Sequence, residues 1–174
     1  MIAHPLRAIL ACLSILSVLP WIPPAGAVPM TNDPKGFHDI AWGVTLTARP
    51  DMEPARTGPH ISEYRIKKES PTFAGADMTS ILYVSVDNQF ARVVIRYHGE
   101  PVHRRVLSYM ELQFGPLERI PGQMARGLNQ QYNWRGTDTE INLTYQASTE
   151  RGFIFIDSRT LAPRFNDHIT DSAE

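Results

Sequence analysis

Leu82-Tyr83-Val84-Ser85-Val86-Asp87-Asn88-Gln89-Phe90-Ala91-Arg92-Val93-Val94-Ile95-Arg96-Tyr97 is the stretch that decides the fold. Leu82, Val84 and Val86 alternate with Tyr83 and Ser85, the every-second-residue pattern of a strand. Asp87-Asn88-Gln89 interrupts the run with residue types that form tight turns by bonding their own backbone. Phe90 to Tyr97 answers it, with Ala91, Val93, Ile95 and Tyr97 assigned to one face and Arg92 and Arg96 to the other. The whole reads as a β-hairpin.

Downstream of the hairpin the period changes. Val102, Val106, Tyr109, Met110 and Phe114 fall at helical spacing, Pro101 suits the first helical position, and Gly115-Pro116 stops the chain, with Gly115 expected at positive φ. After a connector from Leu117 to Leu128, strand signals return at Tyr132 and Trp134. A Gly136-Thr137-Asp138 turn, Ile141, Leu143 and Tyr145, a turn over Thr149 to Gly152 and a last strand over Phe153 to Ile156 follow. Upstream, Tyr64 and Ile66 alternate with Arg65 and Lys67, whereas Arg49 to Ser62, carrying Pro50, Pro54, Gly58 and Pro59, reads as a long loop. These signals predict an α+β fold: an antiparallel sheet of about five or six strands with one main helix packed on one face, in two layers. Residues 37–162 are assigned to a single globular domain, 28–36 to a flexible arm and 163–174 to a polar tail. Phe114 and Trp134 are expected in the core that joins helix to sheet.

A chain of 174 residues with 43% hydrophobic and 20% charged residues is sized for one domain. Lys and Arg number 17 against 18 Asp and Glu. Binding to a phosphate backbone works by releasing counterions from a basic surface, so this balance gives no reason to expect a nucleic-acid partner. Arginine outnumbers lysine 14 to 3, and Arg92, Arg96, Arg104 and Arg105 would make one positive stripe only if the helix crossed their face. The expectation is the reverse, with the helix on the apolar face and the arginines solvating the other.

No catalytic or cofactor-binding residue is assigned. The chain has no Gly-x-Ser-x-Gly elbow, no phosphate loop and no dinucleotide fingerprint. His38, His60, His98, His103 and His168 are scattered, with no helical His-x-x-x-His pair and no cysteine after Cys12 to complete a zinc set, so neither metal nor cofactor is expected. Asn142-Leu143-Thr144 has the glycosylation pattern but falls inside a strand, and is read as coincidence.

Phe37-His38-Asp39-Ile40-Ala41-Trp42-Gly43, Phe114-Gly115-Pro116, Tyr132-Asn133-Trp134-Arg135-Gly136, the strand from Thr139 to Tyr145 and the closing Gly152 to Ser158 occur in that order. In this the chain resembles a group of small exported proteobacterial proteins of unknown function, over nearly all of Phe37 to Leu161. The resemblance implies periplasmic residence and a sheet with a packed helix, and carries no assigned catalytic residues. On their own chemistry Trp42-Gly43 should anchor and turn the first segment, and Tyr132 and Trp134 should share a strand face, in core roles rather than as a binding surface. The functional expectation is a non-catalytic binding or accessory module that meets an envelope protein through its surface. The alternatives are a carrier of a small apolar ligand and, behind it, an envelope hydrolase.

Export is read from the first residues. Arg7 precedes an apolar run from Ala8 to Leu19, Pro20, Pro23 and Pro24 end it, and Ala25-Gly26-Ala27 offers small side chains to a signal peptidase. The run is too short to span a bilayer, which takes about 20 apolar residues, so cleavage after Ala27 and a periplasmic or secreted product without a membrane span are expected. Lipidation at Cys12 is the competing reading, weakened because the apolar run continues past the cysteine. The expected mature chain begins at Val28, and intact-mass measurement of the exported protein checks this. A species beginning at an acylated Cys12 would reverse it.

Overall fold

The computed structural model describes residues 28–68, 70–117 and 129–171. The expected leader and cleavage site at Ala27, most of the connector after the helix and the last three residues lie outside them. In chain order the elements are β1 (Val28–Pro29), β2 (Gly36–Phe37), β3 (Ile40–Ala41), β4 (Met52–Arg56), β5 (Ile61–Ile66), β6 (Thr72–Phe73), β7 (Ala76–Asp77), β8 (Ser80–Val86), β9 (Gln89–His98), α1 (Glu100–Phe114), β10 (Asn129–Arg135), β11 (Thr139–Gln146), β12 (Arg151–Ser158) and α2 (Arg164–Asp171).

Two meanders share one sheet. Strands β4, β5, β8 and β9 form one and β10, β11 and β12 the other, and they meet where β12 pairs antiparallel with β9, giving the order β1-β10-β11-β12-β9-β8-β5-β4. Seven strands are antiparallel, more than the five or six expected, and β1 adds a short parallel edge beside Trp134 and Arg135. Two small hairpins, β2–β3 and β6–β7, stand apart from the sheet.

The expected central hairpin is present and closes in two residues. Val86 pairs with Gln89, while Asp87 and Asn88 take φ of 47° and 64°, the left-handed pair that a type I′ turn requires. The strand faces are less simple than alternation suggests. A register shift opposite Val84 and Ser85 inserts an extra residue in β9, so Ala91 packs with Val84, Val86 and Val94 on the second face while Phe90, Val93, Ile95 and Tyr97 keep the first. Both faces of the central strands therefore carry apolar residues, and the second is covered at Val84, Val86, Ala91 and Val94.

Helix α1 covers the first face through His103, Val106 and Met110, with Val102, Leu107, Tyr109 and Phe114 at the edges. Gly115 ends it at φ +110° as its position requires, and its carbonyl accepts the Trp134 Nε1–H at 2.9 Å. Trp134 is fully buried. Phe114 is only half-buried, so it edges the core rather than filling it.

The remainder departs from the sequence reading at three places. Met52–Arg56, inside the expected long loop, is the edge strand β4, which admits Pro54 because an edge position needs no donor on its open side. Residues 28–36 are tied down: Asn32 Nδ2 donates to the Gln113 carbonyl at 2.7 Å, and the Asp33 carboxylate accepts from the backbone N–H groups of Thr137, Asp138 and Thr139. The polar tail contains α2, which lies on the second face with Leu161 and Phe165 buried against Val84, Val86, Ala91 and Val94. Beside it Arg92 forks onto Asp157 at 2.6 and 3.0 Å, and its guanidinium sits 4.5 Å from the Phe165 ring centre. Burial pushes the Asp157 carboxyl upward against the pull of that arginine. A helix on each face replaces the simple two-layer arrangement.

Trp134→Ala should cost about 3–5 kcal/mol, as expected for a fully enclosed large side chain, and Phe114→Ala distinctly less because part of its ring already meets water. Urea denaturation of both variants checks the order. Equal losses would show that the helix end is packed otherwise.

Candidate functional site

Three constellations are built from residues with chemistry. The first is an open cleft of about 700 Å³ between the tethered arm, the two small hairpins and the C-terminal half of α1. Phe37, Phe73, Tyr109 and Phe114 give it aromatic walls, and Asn32, Gln113 and His38 supply polar groups. His38 and Asp39 sit at φ of 47° and 60°, which forms the tight reversal between β2 and β3. That turn stacks the His38 ring on Phe37 at 4.0 Å and brings its Nδ1 2.9 Å from the Tyr83 hydroxyl.

The second is a closed polar network beneath the start of α1. His103 is buried, with Nδ1 2.8 Å from the Tyr97 hydroxyl and Nε2 3.1 Å from Gln130 Oε1, which also accepts from the Tyr132 hydroxyl at 2.9 Å. The tautomer that satisfies every atom has the Tyr97 O–H donating to Nδ1 and the Nε2–H donating to Gln130. The ring lies flat on Tyr145, centres 4.0 Å apart and planes within 4°. Space for Tyr97 comes from Gly152 on the neighbouring strand, where a Cβ would fall 1.9 Å from the Tyr97 ring. Burial draws the His103 pKa below its ordinary 6.5, ahead of the opposing hydrogen bond to Gln130. A neutral, enclosed imidazole holds α1 to the sheet.

The third joins residues far apart in sequence. His60 precedes β5, Asp87 is the first residue of the β8–β9 turn and His168 lies on α2. His60 Nδ1 is 3.0 Å from Asp87 Oδ1, His168 Nε2 is 3.1 Å from the same carboxylate, and the two imidazoles stack with centres 4.0 Å apart and planes within 9°. The hydrogen bonds from His168 and His60 hold the Asp87 carboxyl below the usual carboxylate range.

Of the five scattered histidines, two thus meet at Asp87, one lines the cleft, one is enclosed, and His98 is exposed at the end of β9. The enclosure of His103 had a signal in the sequence: it lies three residues before Val106 and seven before Met110, on the same helical face. The arginines do not converge. Arg104 pairs with Glu100 and Arg105 with the Gly75 carbonyl beside α1, while Arg92 and Arg96 belong to the opposite sheet face. Trp42 donates from Nε1 to Thr139 Oγ1 at 2.9 Å and packs on Phe90, and Trp134 is internal, so both serve the core. Asn142 lies within β11, its Oδ1 accepting from Asn133 Nδ2. Among the described residues no helix is long and apolar enough to cross a membrane. Comparison of the chain with protein-family models, with curated proteins and with solved structures gave no significant match.

A histidine whose folded-state pKa is depressed takes up a proton more readily when unfolded, so its stabilising effect is whole above pH 6.5 and is lost as pH falls below that value. Unfolding free energy measured between pH 7 and 5 should therefore fall toward acid. His103→Gln should be less stable at pH 7 and have a shallower slope. A wild-type slope in that variant would assign the effect to other groups.

Proposed function

We propose that the chain is an exported, non-catalytic binding module of the bacterial envelope, and that its recognition surface is the cleft between the arm, the β2–β3 and β6–β7 hairpins and α1. The observation that carries this reading is the combination of volume and lining. About 700 Å³ is room for several side chains or one small ligand, and the walls alternate aromatic rings with amide and imidazole groups. Stacking surfaces beside fixed donors and acceptors suit a protein segment, which has apolar side chains and a polar backbone to satisfy at once. The scaffold is well suited to holding such a surface still, because Asp33 and Asn32 tie one wall to the β10–β11 turn and to α1.

Periplasmic or secreted residence rests on the leader sequence and on the resemblance to small exported proteobacterial proteins. A second reading, a carrier of a small ligand, is favoured by the four aromatic rings that share the cleft. The space between α1 and the sheet is filled by Tyr97, Val106, Met110, Leu143 and Ile154, so such a ligand would occupy the open cleft and not the interior.

A photoreactive amino acid placed at Thr72, on the exposed rim of the cleft, should give a discrete protein adduct in intact cells. The same group at Arg96, exposed on the opposite face, should give none. Equal yields at the two positions would remove the cleft as the recognition surface. A stoichiometric small molecule released by solvent extraction of the natively purified protein, with no adduct at Thr72, would select the carrier.

A further inference from the structure

We propose that His60, Asp87 and His168 form a binding site for one borderline-soft divalent metal ion of the zinc type, which fastens α2 to the turn end of the central hairpin. The donor set is the first reason. Two imidazole nitrogens and one carboxylate are what Zn²⁺ takes when it keeps a fourth position for water, and such three-ligand sets suit exchangeable sites better than closed four-ligand ones. Carboxylate alone would favour calcium or magnesium, but two nitrogens shift the preference to the transition series.

Geometry is the second reason. One oxygen and two nitrogens bound at about 2.0–2.2 Å to a tetrahedral ion lie about 3.3–3.6 Å apart, a few tenths of an ångström beyond hydrogen-bond contact. His60 Nδ1 and His168 Nε2 each approach Asp87 Oδ1 to 3.0 and 3.1 Å, and the ligand atoms of all three residues lie within 4.8 Å of one another. Binding would ask the stacked rings to splay around the ion. His60 is exposed and can turn, and its exposure leaves the ion a path from solvent. The proton balance is simple: each nitrogen that faces Asp87 gives up its hydrogen bond to the carboxylate, the ring proton moves to the other nitrogen, and the neutral imidazole binds through the lone pair so exposed.

The third reason is that rigid elements, not chance side-chain swing, bring the ligands together. The Asp87 N–H donates to the His60 carbonyl at 2.8 Å, which fixes two of the ligands relative to one another. His168 follows the buried Phe165 by three residues on α2, so the packing of that ring on the second sheet face aims the imidazole at the turn. The three ligands come from three separate segments, which is why their spacing in sequence shows no metal motif.

The test uses the untagged protein, stripped with a chelator and titrated with ZnCl₂ by calorimetry. One Zn²⁺ per chain is expected, with affinity lowered about tenfold or more in His60→Gln, His168→Gln and Asp87→Asn, and unchanged in His98→Gln. Asparagine tolerates the left-handed backbone at position 87, so Asp87→Asn should keep the turn. Co²⁺ in place of Zn²⁺ should give the intense visible absorption of a four-coordinate site in the wild type and lose it in the variants. Should a variant fail to fold, the wild type still decides: Zn²⁺ should protect the exposed His60, and not His98, from acylation by diethyl pyrocarbonate. No Zn²⁺ uptake by the wild type, the same affinity in all folded variants, or acylation of His60 unchanged by Zn²⁺ would overturn the site.

Discussion

The pairing of β9 with β12 is the contact on which the rest of the molecule depends. Each of the two meanders has its own hairpins, but only this ladder, from Arg151 opposite His98 to Asp157 opposite Arg92, makes them one sheet. At one end of it Tyr97 lies across Gly152, and any side chain there would collide with the ring. The absence of a Cβ lets Tyr97 lie flat beneath α1, where its hydroxyl meets His103 and its ring parallels Tyr145. At the other end Arg92 and Asp157 face the second side and are covered by α2. One strand pair thus seats both helices, and a defect in it would loosen both faces at once.

Central placement also explains how much of the fold could be read from residue order. The hairpin over 82–97 and the helix over 100–114 were legible because they are local: the turn residues are adjacent, the apolar period is long, and Gly115 marks the end. Tyr132 and Trp134 were legible as core residues because large aromatics on alternating strand positions have few other uses, and Trp42, in the turn after β3, packs at the edge of the same core. The edge strand β4 was not, because its stability comes from pairing with β5 and its own sequence, Met-Glu-Pro-Ala-Arg, carries no strand signal. Ala91 was assigned to the wrong face because a bulge advances the register by one residue, and only the partner strand reveals that.

The candidate sites were less legible for the same reason in a stronger form. The cleft draws its walls from residues 31–38, 72–75 and 109–114, segments that are separately unremarkable and acquire concavity only when packed. His60 and Asp87 are 27 residues apart, and Asp87 and His168 are 81 apart. Scattered histidines in a sequence are no evidence of scattered histidines in space, since an antiparallel sheet returns its turns to the same end every second strand. The turn before β5 and the turn between β8 and β9 are such neighbours, because β5 pairs with β8 so that Ile61 lies opposite Val86.

The second face shows how a polar segment becomes structured. Helix α2 has eight residues, and among the described residues it and the preceding turn bury Leu161 and Phe165 on the sheet, with Ala162 partly buried beside them. Burying such side chains gives about 1.5–3 kcal/mol each, whereas ordering backbone costs roughly 1–2 kcal/mol per residue. Leu161 and Phe165 alone do not offset that cost. Further support is polar and lies around the helix: Arg164 donates to Gln89 Oε1 at 2.7 Å, Arg92 sits over Phe165, and His168 reaches Asp87. Contacts of this kind to half-exposed partners are individually weak and respond to pH, salt and ligands. The interior face, closed by Trp134, Tyr97 and Met110, is sensitive through the enclosed His103 and only toward acid, so at neutral pH any change of state in this molecule should begin at α2 and leave α1 in place.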